Sequence, residues 1–220
     1  MKRLVLPLVF VLAPSLPCLA QDPAKAHPNQ YHVLLDNARV RVLHVAVPAG
    51  AKNALHDHPD HVAVLLTDSS IRFTGPDGKP VETTSKKGEA LYVEAGKHAG
   101  ENTGKGALEA IIVELKGAAG TAALPAARQG LGVTTLVDNA RVRVVRATAE
   151  PTFVEPAGSK HDYDQVVIPL GATTGMSVNV DGKLKTDWKA GEVVFIGRGV
   201  GHESKNTSGK PIEFVIVSIK

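Results

Sequence analysis

The chain has 220 residues, 43% of them hydrophobic, with 25 Lys and Arg against 22 Asp and Glu. It is therefore long enough to bury a full core, and its near balance of charge, with no basic block, argues against a nucleic-acid or anionic-membrane surface. The single cysteine, Cys18, falls in an N-terminal segment with the pattern of a cleaved leader, which leaves a mature chain without thiols and excludes disulfide scaffolds, thiol catalysis and thiolate metal sites.

Residues 1–20 read as a secretory signal peptide. Lys2 and Arg3 precede an apolar run over 4–12, and prolines and small residues then lead to a junction at Ala20. The run is too short to cross a bilayer, which takes about 20 apolar residues, and proline in "SLP" ahead of Cys18 makes a poor lipoprotein signal. Cleavage after Ala20 takes two of the 25 cations and no acid, leaving 23 against 22. The expectation is a periplasmic or secreted protein with no stable membrane insertion once the leader is gone.

The mature chain then repeats itself. "LLDNARVRVLHVAVPAG" at 34–50 returns as "LVDNARVRVVRATAEPTFVEPAG" at 136–158, and "GEALYVEAGKHAGENTGKGALEAIIVELK" at 88–116 returns as "GEVVFIGRGVGHESKNTSGKPIEFVIVSIK" at 191–220. Gly88 pairs with Gly191 and His98 with His202 at nearly constant spacing, the mark of a tandem duplication. The domains expected are 21–116 and 133–220, joined by an Ala/Gly-rich linker over 117–132. Within each copy, segments such as "RVRVLHVAV", "HVAVLL" and "AIIVEL", or "QVVIPL", "EVVFI" and "FVIVSI", run with period two or as short continuous apolar blocks between turn signals. These are strands, at the short intervals of an all-β sandwich or barrel.

"LHDHPDHVAVLL" at 55–66 places His56, His58 and His61 within six positions. His56 and His58 are two apart, so on a strand both rings project from one face and can hold one ion. His61 is out of that register unless Pro59-Asp60 turns it back. A site of this kind takes at least one more ligand from another strand, and His98, at the end of "ALYVEAG", is placed to supply it.

Those residues resemble the two motifs of the cupin family. Gly50, His56 and His58 match the first, with His61 one residue short of the usual glutamate; Gly88, Gly96, His98 and Asn102 match the second, with Glu94 for its proline and one residue missing before His98. The other copy matches the second motif through Gly191, Gly197 in the proline's place, Gly199, His202 and Asn206. The resemblance covers essentially the whole mature chain and implies two tandem cupin-type jelly-roll β-barrels, a bicupin. Dioxygenases, isomerases, lyases and plain binding proteins all share that fold.

The reading that follows is an exported, metal-dependent oxygenase acting on a small organic molecule. His56, His58 and His98 are the ligands, and His61 is either a fourth ligand or a catalytic base. The cofactor is one divalent transition metal, with iron, manganese, nickel, copper and zinc all open because imidazole suits each. The alternative is a non-catalytic protein that captures a small ligand or metal for transport or sensing.

In the second copy His161, Tyr163 and Gln165 stand where His56, His58 and His61 stand in the first. With His202 that leaves two histidines, too few for a metal centre, so this copy is expected to be structural or substrate-shaping. His27, His32 and His44 are expected to be surface or packing residues, and Arg39, Arg41, Arg141 and Arg143 to line a solvated or edge face, with buried pairing to acids as the alternative. Glu94 and Glu101 flank His98 and could serve as bases, though the family pattern assigns them no such role. Phe73, Tyr92 and Trp188 are the few rings that could stack on a substrate.

Overall fold

The structure is a computed structural model that describes residues 21–118, 120–121 and 128–220. The leader expected over 1–20, and part of the linker expected over 117–132, lie outside the described residues. The described chain is a short helix α1 (Pro23–Ala26) followed by eighteen strands. The first nine are β1 (Tyr31–Asp36), β2 (Val40–Val47), β3 (Lys52–His58), β4 (His61–Leu65), β5 (Ser69–Thr74), β6 (Pro80–Ser85), β7 (Ala90–Val93), β8 (Gly96–Asn102) and β9 (Leu108–Leu115). The second nine are β10 (Leu131–Asp138), β11 (Val142–Ala149), β12 (Val154–Ser159), β13 (Asp164–Pro169), β14 (Met176–Val180), β15 (Lys183–Thr186), β16 (Val194–Ile196), β17 (His202–Asn206) and β18 (Ile212–Ile219).

Each set of nine folds into a five-stranded and a four-stranded sheet. The orders are β1-β2-β9-β4-β7 and β3-β8-β5-β6 in the first, and β10-β11-β18-β13-β16 and β12-β17-β14-β15 in the second. Strand for strand these are the same jelly-roll topology. No helix among the described residues is long and apolar enough to cross a membrane.

The five-stranded sheets are covered on both faces, which is why their central strands read as near-continuous apolar runs rather than alternating ones. Val42, Val113 and Val64 on one sheet and Val144, Val217 and Ile168 on the other belong to a single buried cluster shared by the two halves. The opposite faces point into the barrels: Leu43, Val45, Leu65 and Ile112 pack together in the first half, and Phe214 packs with Phe153, Met176 of β14 and Trp188 in the second.

Two ion pairs tie the halves together reciprocally. Arg39 Nε lies 2.7 Å from Asp164 Oδ2, and Arg141 Nη1 lies 2.7 Å from Asp60 Oδ2. Arg41 pairs with Asp22 at 3.0 Å and stands 3.6 Å from Glu114. For Arg39, Arg41 and Arg141 the alternative of pairing with acids holds, in place of the solvated face. Alternation along β2 turns Arg41 to the barrel interior beside Leu43, while Arg39 and Arg141, each just ahead of its strand, reach acids on the other half. His44 is a packing residue, its ring against Gly191, where a Cβ would sit 3.4 Å from Nε2.

Candidate metal centre

His56 and His58 reach the barrel interior because β3 carries a bulge. Asn53 pairs with Gly100 and His56 with His98, so three residues of β3 advance against two of β8. That one-residue slip brings Asn53, His56 and His58 all to the inner face, where strict alternation would have sent Asn53 outward. His56 and His98 end up directly opposite one another, with ring centroids 4.6 Å apart. His56, His58 and His98 each offer a ring nitrogen, and these lie within 4.8 Å of one another.

The rings are held by their other nitrogens. His56 Nδ1 donates to the Ala54 carbonyl at 2.8 Å, and His58 Nδ1 donates to Glu114 Oε1 at 2.7 Å. Both assignments leave Nε2 unprotonated and facing inward, and His58 Nε2 is buried with no hydrogen-bond partner among the described residues. A carboxylate behind a ligating imidazole fixes its tautomer and raises its basicity, and Glu114 is placed for that role. Sequence reasoning missed Glu114; the signal available was a lone acid in the buried run "AIIVEL" at 110–115.

His61 sits on the other sheet, at the head of β4 and opposite Glu114 on β9. Its ring centroid is 4.9 Å from that of His58, but it stands outside the three-histidine group. His61 Nδ1 donates to the Pro59 carbonyl at 2.9 Å, which leaves Nε2 as a free lone pair. Burial, with the neighbouring imidazole of His58, pushes His61 down to about 4. Burial and the surrounding histidines push His98 down to about 3, and burial likewise lowers His56 and His58. All four imidazoles are neutral at pH 7, the form that binds a cation. The residues present therefore fit a divalent transition metal.

Tyr31 and His27 join the site from the segment ahead of β2. Tyr31 Oη is 3.3 Å from His56 Nε2 and accepts from Asn53 Nδ2 at 3.2 Å. Burial pushes the phenol up, so it stays protonated. His27 accepts from the Ala54 amide at 3.0 Å and packs edge-on to His56, which places it at the site rather than as an isolated surface residue. Glu94 and Glu101 do not join the cluster; Glu101 pairs with Arg72 at 3.0 Å and Lys52 at 3.4 Å.

A cavity of about 390 Å³ opens beside the histidines, with His61 and His98 at its polar end and walls that include Val45, Leu65, Ile71 and Phe73. Phe73 packs edge-on to His98. Tyr92 instead donates to Asp60 at 3.0 Å, and Trp188 lies in the core of the other half.

The second half departs from expectation. Its two histidines are joined by Glu155, and Glu155, His161 and His202 form another group whose ligand atoms lie within 4.8 Å. Glu155 pairs with Ser204 as Asn53 pairs with Gly100, so it occupies the register position of Asn53, an equivalence that histidine spacing alone does not reveal. This cluster already contains a cation. Arg128 Nη1 lies 2.7 Å from Glu155 Oε1, and Arg128 Nη2 lies 3.1 Å from His161 Nε2 and 3.2 Å from Tyr163 Oη. Burial raises the Glu155 carboxyl, but hydrogen bonds from His161 and His202 and the charge of Arg128 outweigh it and hold the group far below its ordinary value. Phe153, Met176 and Phe214 line a void of only about 30 Å³ there.

An antiparallel jelly roll with inward-facing histidines on β3 and β8 defines the class: this is a cupin fold. Solved structures agree. AerE from Microcystis aeruginosa superposes with a TM-score of 0.64 at 11% identity, over 87% of this chain and 97% of that one. A cupin 2 conserved barrel domain protein from Leptotrichia buccalis gives 0.56 at 13%, over 86% and 88%. A variant of salicylate 1,2-dioxygenase from Pseudoaminobacter salicylatoxidans gives 0.60 at 11%, over 82% and 71%. At these identities the likeness extends to the fold alone. No family model matches the sequence, and no curated protein does.

Proposed function

We propose that this protein is a metal-dependent enzyme of the oxygenase type that acts on a small organic molecule, and that it is exported and built as a tandem duplication of one cupin unit. The observation that carries the metal reading is the group of neutral imidazoles of His56, His58 and His98, with His58 Nε2 buried and unpartnered beside an apolar cavity. Iron, manganese, nickel, copper or zinc would suit it. When bound, such an ion supplies Lewis acidity undiminished by ligand charge and leaves positions open for substrate or oxygen.

The chain's own residues do the rest. Glu114 holds His58 in its binding tautomer, and the Ala54 carbonyl does the same for His56. His61, uncharged and lining the cavity, is the group placed to take a proton from a bound molecule, or to serve as a fourth ligand. Phe73 and the aliphatic walls exclude water from the reacting end. The solved dioxygenase of like fold makes oxygen chemistry a reasonable first assay.

The test is elemental analysis of the protein as isolated, followed by oxygen uptake and product mass with catechols, diketones and hydroxy acids. About one ion per chain together with a mass-shifted product is the expected result. An ion with a tightly held but unaltered ligand under every metal loading, with isomerisation separately ruled out by product structure, would instead make this a binding protein.

A further inference from the structure

The cavity walls carry almost no chemistry. Among the described residues, neither lysine nor arginine lines the space, and the one charged residue that does, Glu101, is paired with Arg72 and Lys52. Two of the polar wall residues are already committed. Asn53 accepts from the Gly100 amide at 2.7 Å and donates to Tyr31, and Asn102 donates to the Val47 and Gly106 carbonyls at 2.8 and 2.9 Å. An anionic group lodged against these walls would lose its water and meet no cation, with only the hydroxyls of Thr83 and Ser85 left to donate to it.

Tyr31 is the polar wall residue nearest the histidines that is not fully committed, and its freedom depends on the metal. Because His56 Nδ1 donates to Ala54, His56 Nε2 can only accept, so the hydrogen of Tyr31 Oη points at that nitrogen across 3.3 Å. A metal ion takes the same lone pair. Once it does, the phenol loses its acceptor, and Tyr31 lines the cavity.

Resting on the metal reading above, we propose that Tyr31 is a ligand-positioning donor switched on by metal loading, and that the cavity selects a molecule with one metal-binding polar head and an uncharged, largely apolar body. In the metal-free protein the Tyr31 hydroxyl caps His56. In the loaded protein it donates to the ligand atom bound at the metal, while the aliphatic walls and Phe73 hold the remainder.

The test uses the full mature chain loaded with zinc, which holds the site without redox chemistry, and two probes of the same shape. 4-Isobutylcatechol and 3,4-dihydroxyphenylacetate share a chelating diol and a branched four-atom tail, and differ in the charge of that tail. Calorimetry is expected to show the neutral probe binding at least tenfold tighter. The Tyr31→Phe variant is expected to hold zinc as tightly as the parent or more so, because nothing then competes for His56, and to bind the neutral probe about tenfold more weakly, the size of one hydrogen bond.

Equal or tighter binding of the charged probe, no binding of either probe to zinc-loaded protein, or an unchanged affinity in Tyr31→Phe would each overturn the proposal while leaving the metal reading intact. Failure of the parent to retain zinc would overturn both. An iron(III)-loaded parent showing a tyrosinate charge-transfer band that Tyr31→Phe lacks would make the phenol a ligand, and the donor role would fall.

Discussion

The hydrogen bond from His58 to Glu114 gives the most direct check on the metal centre, through Glu114→Gln. The two side chains are 1% and 4% exposed and meet at 2.7 Å, so the bond is charge-assisted and unscreened by water. The amide oxygen of a glutamine can still accept from His58 Nδ1, so ring orientation survives and what disappears is the negative charge behind the imidazole. Loss of such a supporting partner typically costs about 10- to 100-fold in metal affinity, or roughly 1.4 to 2.7 kcal/mol. Here Arg41 stands 3.6 Å from the same carboxylate and offsets part of its charge, so the lower end, about tenfold, is expected. The assay is zinc affinity by chelator competition at pH 7.5, with circular dichroism as a check on folding. An affinity within twofold of the parent in a folded variant would show that Glu114 does not tune the centre.

The remaining expectations concern both halves. His98→Ala should abolish metal retention while His202→Ala leaves about one ion per chain, read by elemental analysis; the reverse pattern would move the centre to the second half. Arg128→Ala strips the cation from the buried Glu155 carboxylate, at a cost of about 3–5 kcal/mol, and should lower the melting temperature, while added zinc should restore it by filling the vacated Glu155, His161 and His202 cluster. Because His61 and His98 are held down to about 4 and about 3, the unfolded chain binds more protons than the folded one below pH 6.5. The metal-free protein should thus be most stable above that pH and should lose up to about 1.4 kcal/mol per pH unit per histidine as pH falls towards 4, read from urea midpoints at pH 7.5 and 5. His61→Glu should keep the metal but change turnover, and loss of the metal instead would show that the pocket cannot take the extra charge. Mass spectrometry of exported material should give an N-terminus at or near Gln21; an intact Met1 would refute the leader.

Much of this protein is legible before folding. Period-two patterning or continuous apolar runs mark the strands, and the repeated "VRV" segments at 40–42 and 142–144, like His98 and His202, fall in strands that occupy equivalent places in sheets of the same order. The His56–His58 spacing puts both rings on one face by strand geometry alone. What lies opposite that face is not a local property. The pairing of His98 with His56 depends on which strands a jelly roll makes neighbours, and the inward turn of Asn53 depends on a bulge that the sequence does not announce. Glu114, Tyr31 and Arg128 come from segments distant in the chain from the histidines they touch, at separations of 56, 25 and 33 residues. Sequence periodicity sets only the direction a side chain leaves its own strand, whereas the partner it meets, and whether the space between the sheets is a cavity or is filled by Phe153, Met176 and Phe214, is decided by how whole sheets close on one another.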